Sequence, residues 1–165
     1  DGPVAGVPPF GRRTSRAVGP DAFLVGDQMA FEIRRYRPDG TLAEILRLEG
    51  VDLTLTEAVK ASVRPPRSEG DTSLVDRLWE GAPATRPAYT RLLLDRMGNL
   101  WVAEHVAGRD SPRNWLLFSP SGEAMGLVTV PAGFSPQEIG ADWVLGVETT
   151  GGGERVVRYG LNRGG

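Results

Sequence analysis

Four short apolar runs, each closed by turn-forming residues, fill residues 89–131, and they restrict the fold more than any other stretch of the chain. Leu92-Leu93-Leu94 leads into Asp95-Arg96-Met97-Gly98-Asn99, and Leu100-Trp101-Val102-Ala103 follows. Asn114-Trp115-Leu116-Leu117-Phe118 then turns at Ser119-Pro120-Ser121-Gly122 into Met125-Gly126-Leu127-Val128-Thr129-Val130. Runs this short, bounded by Gly, Pro, Asn and Asp, carry the signature of strands and not of helices. Asp95 and Ser119 each open a turn that closes on a Gly three residues later, where positive φ costs least, and Pro120 presets φ at a central position. The stretch is therefore predicted to be a complete four-stranded antiparallel meander.

Parts of this unit recur. Residues 15–24 run in parallel with 136–145, so that Val18-Gly19 and Asp21 stand where Ile139-Gly140 and Asp142 stand. Ile33-Arg34-Arg35-Tyr36 matches Val156-Val157-Arg158-Tyr159, and Tyr36-Arg37-Pro38-Asp39-Gly40 matches Phe118-Ser119-Pro120-Ser121-Gly122. Three units follow: residues 12–48, residues 89–131, and residues 132–161, the last ending before a fourth strand. Residues 49–88 interrupt the period and read as a short helical insertion. Thr56 is placed to cap a helix through Val63, stopped by Pro65-Pro66. Asp71 or Thr72 is placed to cap a second helix carrying Leu74, Leu78 and Trp79 and ended by Gly81.

A repeat of roughly 40 residues, each of four short strands, is the pattern of a β-propeller. The expected fold class is all-β: a partial β-propeller of about three four-stranded antiparallel blades, the last incomplete, with the helical insertion, all in one domain over residues 1–165. Twenty-two Gly and 13 Pro in 165 residues, with 40% hydrophobic content, agree with many turns around a real core. Cysteine is absent, which excludes disulfide and thiolate chemistry. A net charge of −2 gives no electrostatic reason to expect a nucleic acid partner, and no apolar run approaches the ~20 residues of a membrane span. The chain opens at Asp1 without an initiator Met or a signal peptide, so it reads as a mature or excised piece.

In a meander the first-to-second and third-to-fourth turns share one rim, and the remaining connections share the other. The rim collecting residues 27–30, the insertion, residues 106–113 and residues 149–153 is the expected functional face, because loops on a rigid scaffold usually carry binding residues. Asp27, Gln28, Arg109, Asp110 and Arg113 are its candidate ligand-face residues. His105 and Glu104 are the candidate acid–base pair, although a single His with no HExxH motif or Asp-rich loop more often has a structural role. No GxSxG motif supports a serine nucleophile. Thr149-Thr150-Gly151-Gly152-Gly153 precedes a strand and lacks a Lys, so it reads as a hairpin loop and not a phosphate cradle. Trp101, Trp115 and Trp143 read as core rings packed between blades, and Arg34, Arg35 and Arg158 as rim residues paired with carboxylates.

Asp95-Arg96-Met97-Gly98-Asn99-Leu100-Trp101-Val102 resembles the repeat core of several β-propeller families, among them NHL-type and TolB-like repeats, bacterial sensor propellers and streptogramin-lyase-like propellers. Over residues 15–161 the chain looks like the later half of the six-bladed propellers of bacterial cell-envelope proteins. This resemblance implies a non-enzymatic binding or scaffold module, extracytoplasmic, with no cofactor, whose partners are the missing blades or a second copy together with a protein or small-molecule ligand. The alternative it implies is a lactonase-like or lyase-like hydrolase using a divalent cation with His105 and Glu104. Three incomplete blades cannot close a ring, so the first and third units are expected to present apolar sheet faces.

Overall fold

The computed structural model describes residues 9–63, 76, 78–106 and 111–162. Among these residues eleven strands form three antiparallel sheets. The first is β1 (Ser15–Val18), β2 (Phe23–Gly26), β3 (Glu32–Tyr36) and β4 (Leu42–Arg47), hydrogen-bonded in chain order. The second is β5 (Arg91–Leu94), β6 (Leu100–Ala103), β7 (Arg113–Phe118) and β8 (Ala124–Val130), also in chain order. The third holds three strands, β9 (Phe134–Ile139), β10 (Trp143–Thr150) and β11 (Gly153–Gly160). Each sheet lies within one of the three units expected from the repeats.

The turns form as their residues dictate. Gly98 and Gly122 sit at φ +82 and +81°, and each amide donates to the carbonyl three residues back, Gly98 to Asp95 and Gly122 to Ser119. A Cβ at Gly98 would meet only Pro120 Cγ, at 3.6 Å, so substitution there costs backbone strain and little else. Gly98→Ala is expected to lower stability by about 1 kcal/mol, measured by chemical denaturation. An unchanged midpoint would count against this turn geometry.

The period-2 alternation of strand side chains divides the core into two layers. From the second sheet Leu92, Leu100, Val102 and Phe118 pack with Ala17, Leu24, Phe31 and Ile33 of the first. Its opposite face, with Trp101, Ala103, Trp115 and Leu117, packs with Phe134, Ile139 and Val144 of the third. The middle sheet is thus covered on both sides. Polar ties join the same interfaces: Arg35 Nη1 donates to the Pro120 carbonyl at 2.5 Å, and the Arg96 amide donates to the Ile139 carbonyl at 3.0 Å.

The insertion contains α1 (Glu57–Val63), whose N-terminus is capped by Thr56 Oγ1 accepting from the Val59 amide at 3.2 Å. Thr54 bridges Thr85, and the Arg86 amide donates to the Leu53 carbonyl at 2.9 Å, so the insertion leaves and returns side by side. Asp76 and residues 78–80 are helical, and Gly81 ends that turn as expected. The proposed caps Asp71 and Thr72, with Leu74 and Pro65-Pro66, lie outside the described residues. No described helix is long and apolar enough to cross a membrane.

The expectation for the tryptophans needs one correction. Trp101 and Trp115 are buried in the core. Trp143 is only half-buried: its indole lies over Gly140, where a Cβ would fall 2.3 Å from the ring, and the Arg96 and Arg158 guanidiniums sit 5.2 and 5.6 Å from its centroid. It is a cation-flanked ring on the side of the third sheet. Arg34 and Arg35 pair with Glu32 and Glu44, and Arg158 with Asp142, as rim residues should.

Candidate functional site

The rim opposite the tight Gly turns gathers the starts of β1, β3, β5, β7 and β9 and the ends of β2, β4, β6, β8 and β10. Its first feature is a polar seam between the first two sheets. Gln28 adopts φ +66° and is buried; its amide nitrogen donates to Ser15 Oγ at 2.7 Å and to the Thr90 carbonyl at 3.2 Å, while its oxygen accepts from the Arg13 amide at 2.9 Å. A residue expected on the ligand face therefore points inward and stitches the sheets together. The cost of its left-handed backbone is offset by complete use of a buried amide. Asp27 is exposed, accepts from the Met29 amide at 2.9 Å, and borders a hollow of about 550 Å³ on the outer side of the first sheet, beside Phe23, Val25, Arg34 and Tyr36.

Cations dominate the central part of the rim. His105 follows β6 and lies beside Phe10, with ring centroids 5.4 Å apart, and Phe10 in turn meets Trp79 of the insertion edge-on at 6.1 Å. Arg86 donates to the His105 carbonyl at 3.4 Å and to the Asp52 carbonyl at 2.8 Å, and Arg12 donates to Thr85 Oγ1. Burial under this aromatic cover, then the positive charges of Arg86 and Arg113, push the His105 pKa down from its ordinary value. The imidazole is therefore neutral at neutral pH and packs under the insertion.

Glu104 stands next to His105 in sequence but turns to a different partner, accepting from Asn114 Nδ2 at 3.1 Å, while Asn114 Oδ1 accepts from Thr129 at 2.8 Å. The two candidate acid–base residues share no hydrogen bond among those described. No three His, Cys, Asp or Glu side chains come together as a metal site among the described residues. Arg109 and Asp110 lie outside the described residues. Arg113 opens β7, and its Nε is buried without a hydrogen-bond partner. Arg91, at the start of β5, crosses to the third sheet, donating to Ser135 Oγ at 3.0 Å and to Gln137 Oε1 at 3.1 Å. The Asp52 carboxylate feels the charge of Arg86, and among the described residues no carboxylate forms an ion pair with Arg12, Arg91 or Arg113.

The sequence places Arg113, His105 and, within the insertion, Arg86 on this rim, and gives no sign of Arg12 and Arg91. Arg86 lies in the insertion, Arg91 alternates with apolar residues at a strand start, and Arg12 precedes the first strand, so only the return of the insertion and the stacking of the sheets bring them together. Chemically, the Arg91 and Arg113 guanidiniums and the neighbouring Ser135 hydroxyl offer hydrogen-bond donors that suit an anion. The Thr149 loop closes a β10–β11 hairpin through the Thr150–Gly153 pair, as expected for a structural turn. Neither protein-family models nor curated proteins give a match to this chain.

Proposed function

We propose that the chain is a three-blade arc of a β-propeller that works as a binding or scaffold module of the bacterial cell envelope, with the cation-rich rim as its ligand face. Its outward faces support this reading most strongly. Aligned on their strand registers, Val18, Phe23 and Tyr36 of the first sheet stand where Leu94, Leu100 and Phe118 stand in the second and Ile139, Val144 and Tyr159 in the third. Ile139 is 1% exposed, whereas its counterpart Val18 is 71% exposed. On the other side of each sheet, Leu24 and Ile33 correspond to Trp101 and Trp115 and to Leu145 and Val156. Trp115 is 1% exposed and Val156 is 73% exposed. Both end faces thus carry apolar side chains at positions that a neighbouring sheet covers elsewhere in the same molecule, which is the demand of a stacked repeat.

These faces should make the purified chain self-associate at micromolar concentration or bind an apolar-surface dye. Val18→Glu and Val156→Glu should each reduce the effect without lowering the melting temperature, because both side chains are solvent-exposed in the monomer. Sedimentation velocity with parallel dye titration makes the test. A compact, dye-negative monomer would sink the proposal.

A further inference from the structure

We infer that the hollow between the second and third sheets on this rim binds a small carboxylate. The inference rests on reading that rim as the ligand face, but every residue of the hollow belongs to this chain, so its test does not depend on any further blade. The hollow has a volume of about 240 Å³ and is bordered by Ser111, Arg113, Pro131, Phe134, Ser135 and Thr149. Hydrogen bonding of the Thr149 amide to the Gly133 carbonyl, at 2.9 Å, holds its far wall in place.

Three observations converge on an anion. Arg113 borders the hollow, and no described carboxylate forms an ion pair with it. Ser135 Oγ accepts from Arg91 Nη1 at 3.0 Å and from Gln137 Nε2 at 3.3 Å, which occupies its lone pairs and leaves its own O–H to donate. Arg91 itself is half-buried, and its pKa is lowered first by that burial and then by the charge of Arg113, so two guanidiniums repel each other beside the hollow. A negative charge in the hollow would offset that repulsion.

The walls favour a carboxylate over a phosphate. Phe134 is buried and Pro131 lies beside it, giving an apolar surface for a short alkyl body. The planar fork of Arg113 matches the two oxygens of a carboxylate. The volume is below the roughly 300 Å³ at which sites for drug-sized ligands begin, so acids of a few carbons fit best.

Isothermal titration of the intact chain with butyrate, hexanoate, butyramide and inorganic phosphate tests this. Butyrate or hexanoate should bind saturably, and butyramide should bind at least about tenfold more weakly, the loss expected for one charge-assisted hydrogen bond. Arg113→Gln should weaken carboxylate binding by about tenfold or more, and Ser135→Ala by a smaller factor, at unchanged melting temperature. If Arg113→Gln does not fold, Arg113→Lys keeps the charge, loses the fork, and should still weaken binding severalfold. Equal binding of acid and amide, unchanged binding in the Arg113 variant that folds, preference for phosphate, or no saturable heat would each overturn the inference. Monomeric sedimentation with intact carboxylate binding would count against the blade-arc reading alone, and self-association without binding against the pocket alone.

Discussion

Asp95→Ala should cost about 3–4 kcal/mol, the largest loss expected from a single polar side chain in this protein. The Asp95 carboxylate is buried, and one oxygen accepts from the amides of Met97 and Asn99, both at 2.9 Å. The other accepts from Asn99 Nδ2 at 2.8 Å and from the Trp101 indole at 3.2 Å. Truncation leaves these donors without their acceptor, at about 1–3 kcal/mol for each buried one. It also frees the Trp101 ring, which anchors the layer between the second and third sheets. Asp95→Asn isolates the charge, because its oxygen can still accept while its NH₂ meets donors, so its cost should be large but smaller than that of the alanine.

The same group contributes to the acid limb of stability. Burial alone would raise the Asp95 pKa, but the hydrogen bonds from Asn99, Trp101 and Met97 outweigh it and hold the carboxyl below its ordinary value. A depressed folded pKa gives stability that is fully present above the unfolded value, about 3.9, and is lost as pH falls through the folded value. His105 acts in a higher window. Its pKa is also depressed, so the unfolded chain takes up a proton first, and stability begins to fall once pH drops below about 6.5. Urea midpoints between pH 7 and 2.5 should therefore fall in two stages, the second shallower in Asp95→Asn but not absent, because the Glu32, Asp39, Asp52 and Glu148 carboxyls are held below their ordinary values as well. Parallel acid limbs in the variant and the parent would remove Asp95 from this role.

Gly26→Ala is expected to cost about 3 kcal/mol, a severe overpacking. A Cβ at this position would lie 1.7 Å from the Tyr89 hydroxyl and 2.8 Å from the Glu32 carbonyl oxygen. Tyr89 cannot move aside easily: it is fully buried, stacks edge-on with Phe31 at 5.6 Å, and donates its hydroxyl to that same carbonyl at 3.0 Å. Burial pushes its pKa up to about 12, so the hydroxyl remains a donor at every working pH. A double-mutant cycle separates this clash from a general intolerance of β2. In a Tyr89→Phe background the alanine should cost distinctly less, because the nearest obstructing atom is gone. Equal costs in both backgrounds would place the effect elsewhere.

Strand identity, turn chemistry and the division into three sheets were all written in local sequence. Asp95 and Ser119 followed by Gly three residues on, alternation within short runs, and the alignment of residues 15–24 with 136–145 all depend on forces acting within a few residues. The same local grammar gave the cap at Thr56. The sequence could also say that Trp101 and Trp115 belong inside, because both stand in apolar strands that the repeat places in the middle unit.

What the sequence did not decide depends on which side chains meet across sheets. Gln28 looked like a loop residue open to ligand, yet a left-handed backbone and the approach of Thr90 and Ser15 turn it into a buried tie. Trp143 carries the same pattern as the core tryptophans, but the third sheet has no described neighbour on its far side, so the ring remains half-open between Arg96 and Arg158. The cationic rim is the clearest case. Arg12, Arg86, Arg91 and Arg113 are up to 101 positions apart in sequence, and only the stacking of three sheets and the return of the insertion place them on one edge. Local sequence fixes the direction in which each strand points its side chains, whereas long-range packing alone sets which charges become neighbours.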